Sequence, residues 1–248
     1  MEKDLYVSNK HFRTFYRTVA FMAILIVLVG VTDVITSMGV TAQDNRTIPV
    51  IEWLTLFQSH QFEAFSRLGV INMLTLSLSI PIFLAFNQAF RKERPLLVAF
   101  ASTLFFVGTA VYLSSNTVFA LFAVSQKYAE ISDLQKPILE ATSQSLLEQG
   151  ADLTPGTFLG LFFTQIAGLL ITSAMLRGKI FGKWIGWIGL TGYSIMTIFF
   201  ILTAFFPAHY AAAMLVAAPG GLILLIYQIM LARKFLQLGA MEGVNNDH

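Results

Sequence analysis

The 248-residue chain contains no cysteine. That absence excludes thiolate catalysis, disulfides and cysteine-bound metal sites, and leaves the redox compartment unspecified. Charge is scarce too: Asp, Glu, Lys and Arg make up 12% of the residues, against roughly 25% in a soluble domain. With so little polar surface the chain cannot coat a water-soluble globule. The net charge of +2 gives no basis for a nucleic-acid partner. Several catalytic signatures are missing as well. There is no HExxH and no glycine-rich phosphate loop after a strand, and no GxSxG. The four histidines, His11, His60, His209 and His248, are scattered. No catalytic residue, metal site or cofactor is expected.

What the chain has is oil. Hydrophobic residues account for 56% of it, 23 phenylalanines among them, and the mean hydropathy is +0.69. About 20 apolar residues are needed for a helix to cross a hydrocarbon core of about 30 Å. Six stretches qualify, at about 17–39, 67–90, 96–124, 157–177, 182–207 and 210–232. Backbone groups in lipid must be satisfied within their own segment, so each is read as a helix. The alternation every second residue of a membrane barrel is missing from runs such as LLVAFASTLFFVGTAVYL. The expected fold is all-α: a single membrane domain over 1–248 with six transmembrane helices and two partly helical outer loops.

Charge placement orients it. Twelve of the sixteen basic residues fall on one face: Lys3, Lys10, Arg13, Arg17, Arg91, Lys92, Arg94, Arg177, Lys179, Lys183, Arg233 and Lys234. Arg46, Arg67, Lys127 and Lys136 fall on the other, beside eight acids. The positive-inside rule then makes both termini cytoplasmic in a plasma (inner) membrane. Trp184 and Trp187 inside, and Trp53 outside, suit interfacial anchors. A rival reading makes the first span a cleaved signal, because Val40-Thr41-Ala42 before Gln43 resembles a small-residue cleavage site; the length of the apolar run favours a retained helix.

The long connections, about 40–66 and 125–156, both lie outside on this topology. Ser59 is expected to cap the helix leading into span two, and Ser132 to cap the amphipathic stretch DLQKPILEATSQSLLEQG. That stretch would gather Leu134, Ile138, Leu139 and Leu146 on one apolar face, as a lid over the bundle or as a helix lying on the headgroups. Thr154-Pro155 reads as a helix start. Gly182, Gly186, Gly189 and Gly192 line one side of span five, where another helix can approach closely; internal packing and a homodimer both use such a stripe. Pro81 and Pro219-Gly220-Gly221 sit near mid-membrane, where each can kink its helix.

SHQFEAFSRLGVINMLTLSLSIPIFLAF, GTFLGLFFTQIAGLLITSAMLRGKIFGKWIGWIGLTGYSI and APGGLILLIYQIMLARKF together resemble a bacterial family of small polytopic membrane proteins known only as domain of unknown function four-three-eight-six. The likeness rests on Phe65, Arg67, Leu68 and Gly69 at the start of span two, and on the basic hairpin into the glycine-spaced fifth span, Arg177 to Tyr193. It covers about residues 12–235. The family's hairpin usually carries a proline where this chain reads Ile180-Phe181-Gly182-Lys183, and the outer loops match poorly. The resemblance implies a fold and a membrane location, and no reaction.

Function has to come from the few polar groups in the spans. A charge at the bilayer centre costs about 2.5–3.5 kcal/mol on insertion scales, which makes an intramembrane carboxylate a site hypothesis. Asp33 lies about 22 Å from the inner edge at 1.5 Å per residue, in the outer third. The same counting brings Arg67, Asn72, Asn116 and Gln165 toward the outer leaflet. These five form the expected ligand-binding set, in a polar pocket opening outward. The plainer reading makes them interhelical glue, worth about 0.6 kcal/mol per bond. The favoured function is non-enzymatic binding of a small molecule, a lipid or a partner segment. A small-solute or ion-coupled transporter using Asp33 is the alternative, and an intramembrane lipid-modifying enzyme the second.

Overall fold

The computed structural model describes residues 2–38 and 47–244. Val40-Thr41-Ala42, Arg46 and His248 lie outside the described residues. In chain order the helices are α1 (Glu2–Met38), α2 (Val50–Ser59), α3 (Gln61–Arg67), α4 (Val70–Phe90), α5 (Pro95–Ser115), α6 (Val118–Tyr128), α7 (Lys136–Gly150), α8 (Pro155–Arg177), α9 (Lys183–Phe205) and α10 (Tyr210–Val244), with a 3₁₀ turn at Pro207–His209 before the last. No strand occurs among the described residues.

Six segments of the described chain are long and apolar enough to cross a membrane, and they centre on α1, α4, α5, α8, α9 and α10. The 21 residues of α4 extend about 31 Å at 1.5 Å each, one hydrocarbon thickness. The six helices form a ring. Each packs chiefly on two neighbours, in the order α1, α4, α5, α8, α9, α10 and back to α1. Lipid supplies no hydrophobic drive between helices, so close packing has to hold them. At the α5–α8 seam a Cβ on Gly160 would stand 2.6 Å from the Tyr112 backbone nitrogen, so only glycine admits this approach.

The first turns of α1 and the last turns of α10 come together at one end of the ring, where Gly239 of α10 approaches Arg13, Tyr16 and Arg17 of α1. Aromatic rings close that end across the middle. Phe181, from the α8–α9 link, stacks on Phe90 at 5.3 Å and meets Phe86 and Phe235 edge-on, each at 5.5 Å. Tyr16 stacks on Phe235 at 6.0 Å. One polar stitch joins the neighbouring links: Lys179 N donates to Glu93 Oε2 at 3.3 Å.

The far end carries a cap of four short helices, α2, α3, α6 and α7, packed on one another. Trp53, Leu54, Phe57, Leu121 and Leu147 are buried there, in an apolar core continuous with that of the ring. Phe65 lies 5.3 Å from Phe57 and 5.1 Å from Phe122, centroid to centroid.

Local expectations change in several places. Ser59 does not cap a following helix. It ends α2, and its hydroxyl turns back to Thr55 O at 2.9 Å. Ser132 does not cap α7 either: the helix begins at Lys136 with Gln135 at its N-cap and a proline in its first turn, where the missing N–H costs nothing. The apolar face expected on α7 is divided. Ser143 and Leu147 point into the core, while Leu134 and Ile138 are exposed. Helices α4 and α10 run unbroken through Pro81 and Pro219. Span three, expected to be continuous, breaks between α5 and α6. In the glycine stripe, Gly186 packs on Leu176, Gly189 on Thr172 and Tyr227, and Gly192 on Leu224. These three are used inside the bundle, and only Gly182 has open space beside it.

Candidate functional site

Three chain breaks meet where the cap joins the ring. Leu68–Gly69 separates α3 from α4, Asn116–Thr117 separates α5 from α6, and Ala151–Thr154 separates α7 from α8. Backbone that leaves a helix exposes N–H and C=O groups, which near lipid must be satisfied by protein. Side chains of the adjoining helices do that here.

Asn116 serves two breaks at once. Its backbone is extended, its Nδ2 donates to Leu68 O at 3.0 Å, and its Oδ1 accepts from Val118 N at 3.0 Å. Thr117 closes the end of α7, donating its N–H to Gly150 O at 3.0 Å and its hydroxyl to Leu146 O at 2.7 Å. Thr154 and Thr157 both donate to Ala151 O, at 2.7 and 3.2 Å. Gly69 is required on two counts. Its φ of +103° is closed to most side chains, and a Cβ there would lie 2.5 Å from Tyr112 Oη and 2.8 Å from Asn116 Nδ2.

Asp152 sits at the middle of this arrangement. Its Oδ1 accepts from the Tyr112 hydroxyl at 2.7 Å and its Oδ2 from Asn72 Nδ2 at 2.7 Å. Tyr112 Oη also lies 3.3 Å from Gly69 O, but its single proton goes to the nearer acceptor, Asp152 Oδ1. The carboxylate thus ties α4 and α5 to the start of α8 through neutral donors. Leu153, next in sequence, has φ +62°, a conformation uncommon for a residue with a Cβ.

The five expected residues separate as follows. Asn72 and Asn116 both belong to this cluster. Asp33, partly buried on α1, lies within electrostatic reach of Asp152. Arg67 sits on the cap side, 3.5 Å from Glu63 and 5.0 Å above the Trp53 ring. Gln165 lies deeper in α8 and makes no hydrogen bond to the cluster; its buried Oε1 has no partner among the described residues. Sequence reasoning missed Asp152 and Tyr112. The available signal was an acid in the short GADLTPG turn, directly before a helix start at membrane level.

A ring of six membrane-length helices, with an aromatic cluster at one end and a carboxylate-centred polar cluster under a helical cap at the other, defines a multi-pass membrane protein. The chain belongs to the family described as "Domain of unknown function (DUF4386)", whose profile matches residues 23–232. No curated protein matches it, and no solved structure does.

Proposed function

We propose that this chain is a non-enzymatic protein of the bacterial plasma membrane, with both termini cytoplasmic, that holds a small molecule, a lipid or a partner segment at the far-end polar cluster. Asp33, Asn72 and Asn116 contribute with Asp152 and Tyr112, Arg67 stands at the rim, and Gln165 supplies an acceptor deeper in the ring. The reading is carried by the meeting of three chain breaks around a carboxylate. Irregular backbone at membrane depth is tolerated where it is enclosed by protein or lines a cavity, and intramembrane acids mark sites more often than they serve packing. The closed aromatic end favours access from the cap side. Carrier sites, by contrast, draw on helices broken at the membrane midplane, and the unbroken course of α4 and α10 favours binding over transport.

The test is native mass spectrometry of detergent-purified wild type and Asp33→Asn, combined with thermal unfolding. Wild type is expected to retain a small molecule or lipid that Asp33→Asn loses at least tenfold, with the unfolding temperature unchanged. If both proteins retain the same species, or neither retains any, the cluster is interhelical glue. Flux in proteoliposomes that Asp33→Asn abolishes would replace binding by transport.

A further inference from the structure

We infer that the four cap helices move as one body about the plane of the three chain breaks, and that Asp152 is the latch that holds them down. Each described crossing between cap and ring is interrupted at that plane: Leu68–Gly69, Asn116–Thr117 and Ala151–Thr154. A helix running through a boundary would resist bending, whereas a few element-terminal residues can absorb large φ/ψ changes. Gly69 is the residue type best able to do so.

Cohesion within the cap differs from its attachment to the ring. Inside it, Phe57, Phe65, Phe119 and Phe122 form one aromatic group. Gln58 Nε2 donates to Ser125 O at 3.1 Å, and Tyr128 Oη to Glu140 Oε1 at 2.6 Å. Thr117 secures the end of α7 from the α6 side. Thr157 of α8 bonds only to the link that precedes its own helix, at Ala151 and Thr154, whereas Tyr112 of α5 and Asn72 of α4 reach across to that link and both donate to Asp152. Removing that carboxylate releases α4 and α5 from the α7–α8 link together. The positive φ of Leu153 is held in place by the same contacts, and such backbone persists only where its surroundings over-determine it. That the motion governs access to the polar cluster rests on the binding reading above; the motion itself does not.

With no native cysteine, spin labels can be placed at will on the full chain. Ser145→Cys with Lys183→Cys spans cap to ring, and Thr55→Cys with Ser145→Cys lies within the cap; all three positions are exposed. Double electron–electron resonance is read in each background with and without Asp152→Ala. The cap-to-ring distribution is expected to shift or broaden beyond its wild-type width, and the intra-cap distribution to stay as it was. Asn72→Ala, which keeps the Tyr112 bond, is expected to give an intermediate change, and it decides the matter alone if Asp152→Ala fails to fold. Unchanged cap-to-ring distances in both variants overturn the latch. Broadening of both pairs also overturns it, because the cap then unravels instead of moving. A moving cap with no retained molecule would leave the latch standing and remove the binding reading; a retained molecule under a fixed cap would do the reverse.

Discussion

Gly69 and Tyr112 make a pair whose coupling has a definite sign. An alanine at Gly69 meets two penalties: a φ of +103° and a Cβ 2.5 Å from Tyr112 Oη. Unfavourable backbone of this kind costs about 1–3 kcal/mol, before the clash is added. Tyr112→Phe removes the oxygen that is struck but leaves Asp152 short of one donor, at about 1–3 kcal/mol. The double variant relieves the clash, so its destabilisation is expected to fall below the sum of the singles by about 1 kcal/mol, within the range for contacting residues. Thermal or denaturant unfolding of the four proteins in one detergent measures it. Strict additivity would mean that Gly69 and Tyr112 do not touch. Asn72 and Asn116, which the fold brings to the cluster, stood out in the sequence because a polar side chain in an apolar run is conspicuous. Asp152 was not, because it stands in a turn among other polar residues, and only the fold shows that the turn is drawn down against Asn72 and Tyr112.

At the scale of the element, hydropathy finds the length of a span and is blind to its interruptions. Residues 96–124 read as one apolar run, yet the chain changes course at Asn116, whose amide replaces the helical bonds lost there. The midplane prolines were the conspicuous breakers, and both sit within continuous helices. A side chain able to satisfy the freed groups, not a poor helix former, is what ends a helix near lipid. Asn116→Ala strips the acceptor from Val118 N and the donor from Leu68 O. A buried group left without its hydrogen-bond partner costs about 1–3 kcal/mol, so the unfolding free energy is expected to fall by about 1–3 kcal/mol. Ser114→Ala is the control, since that exposed hydroxyl bonds only within its own helix, to Val111 O; it should stay within about 0.5 kcal/mol of wild type. Equal effects would show that Asn116 is an ordinary surface amide.

For the whole molecule the question is which end faces the cytoplasm. The ring brings the amino-terminal part of α1, the α4–α5 and α8–α9 links and the end of α10 to one side, so the basic residues that are scattered in sequence share a face. Arg91 lies 6.0 Å over the Phe12 ring, and Glu93 reaches the backbone of Lys179. Trp184 and Trp187, both exposed at the start of α9, are of the residue type that settles in a membrane interface. On the proposed orientation, which follows the positive-inside rule, this end faces the cytoplasm and the cap lies outside. Single cysteines test it without background, the native chain having none. Ser132→Cys, exposed before α7, is expected to react with a membrane-impermeant maleimide in intact cells. Lys183→Cys, exposed at the start of α9, should react only after permeabilisation. The opposite pattern would invert the protein and turn the cap, with the polar cluster beneath it, toward the cytoplasm.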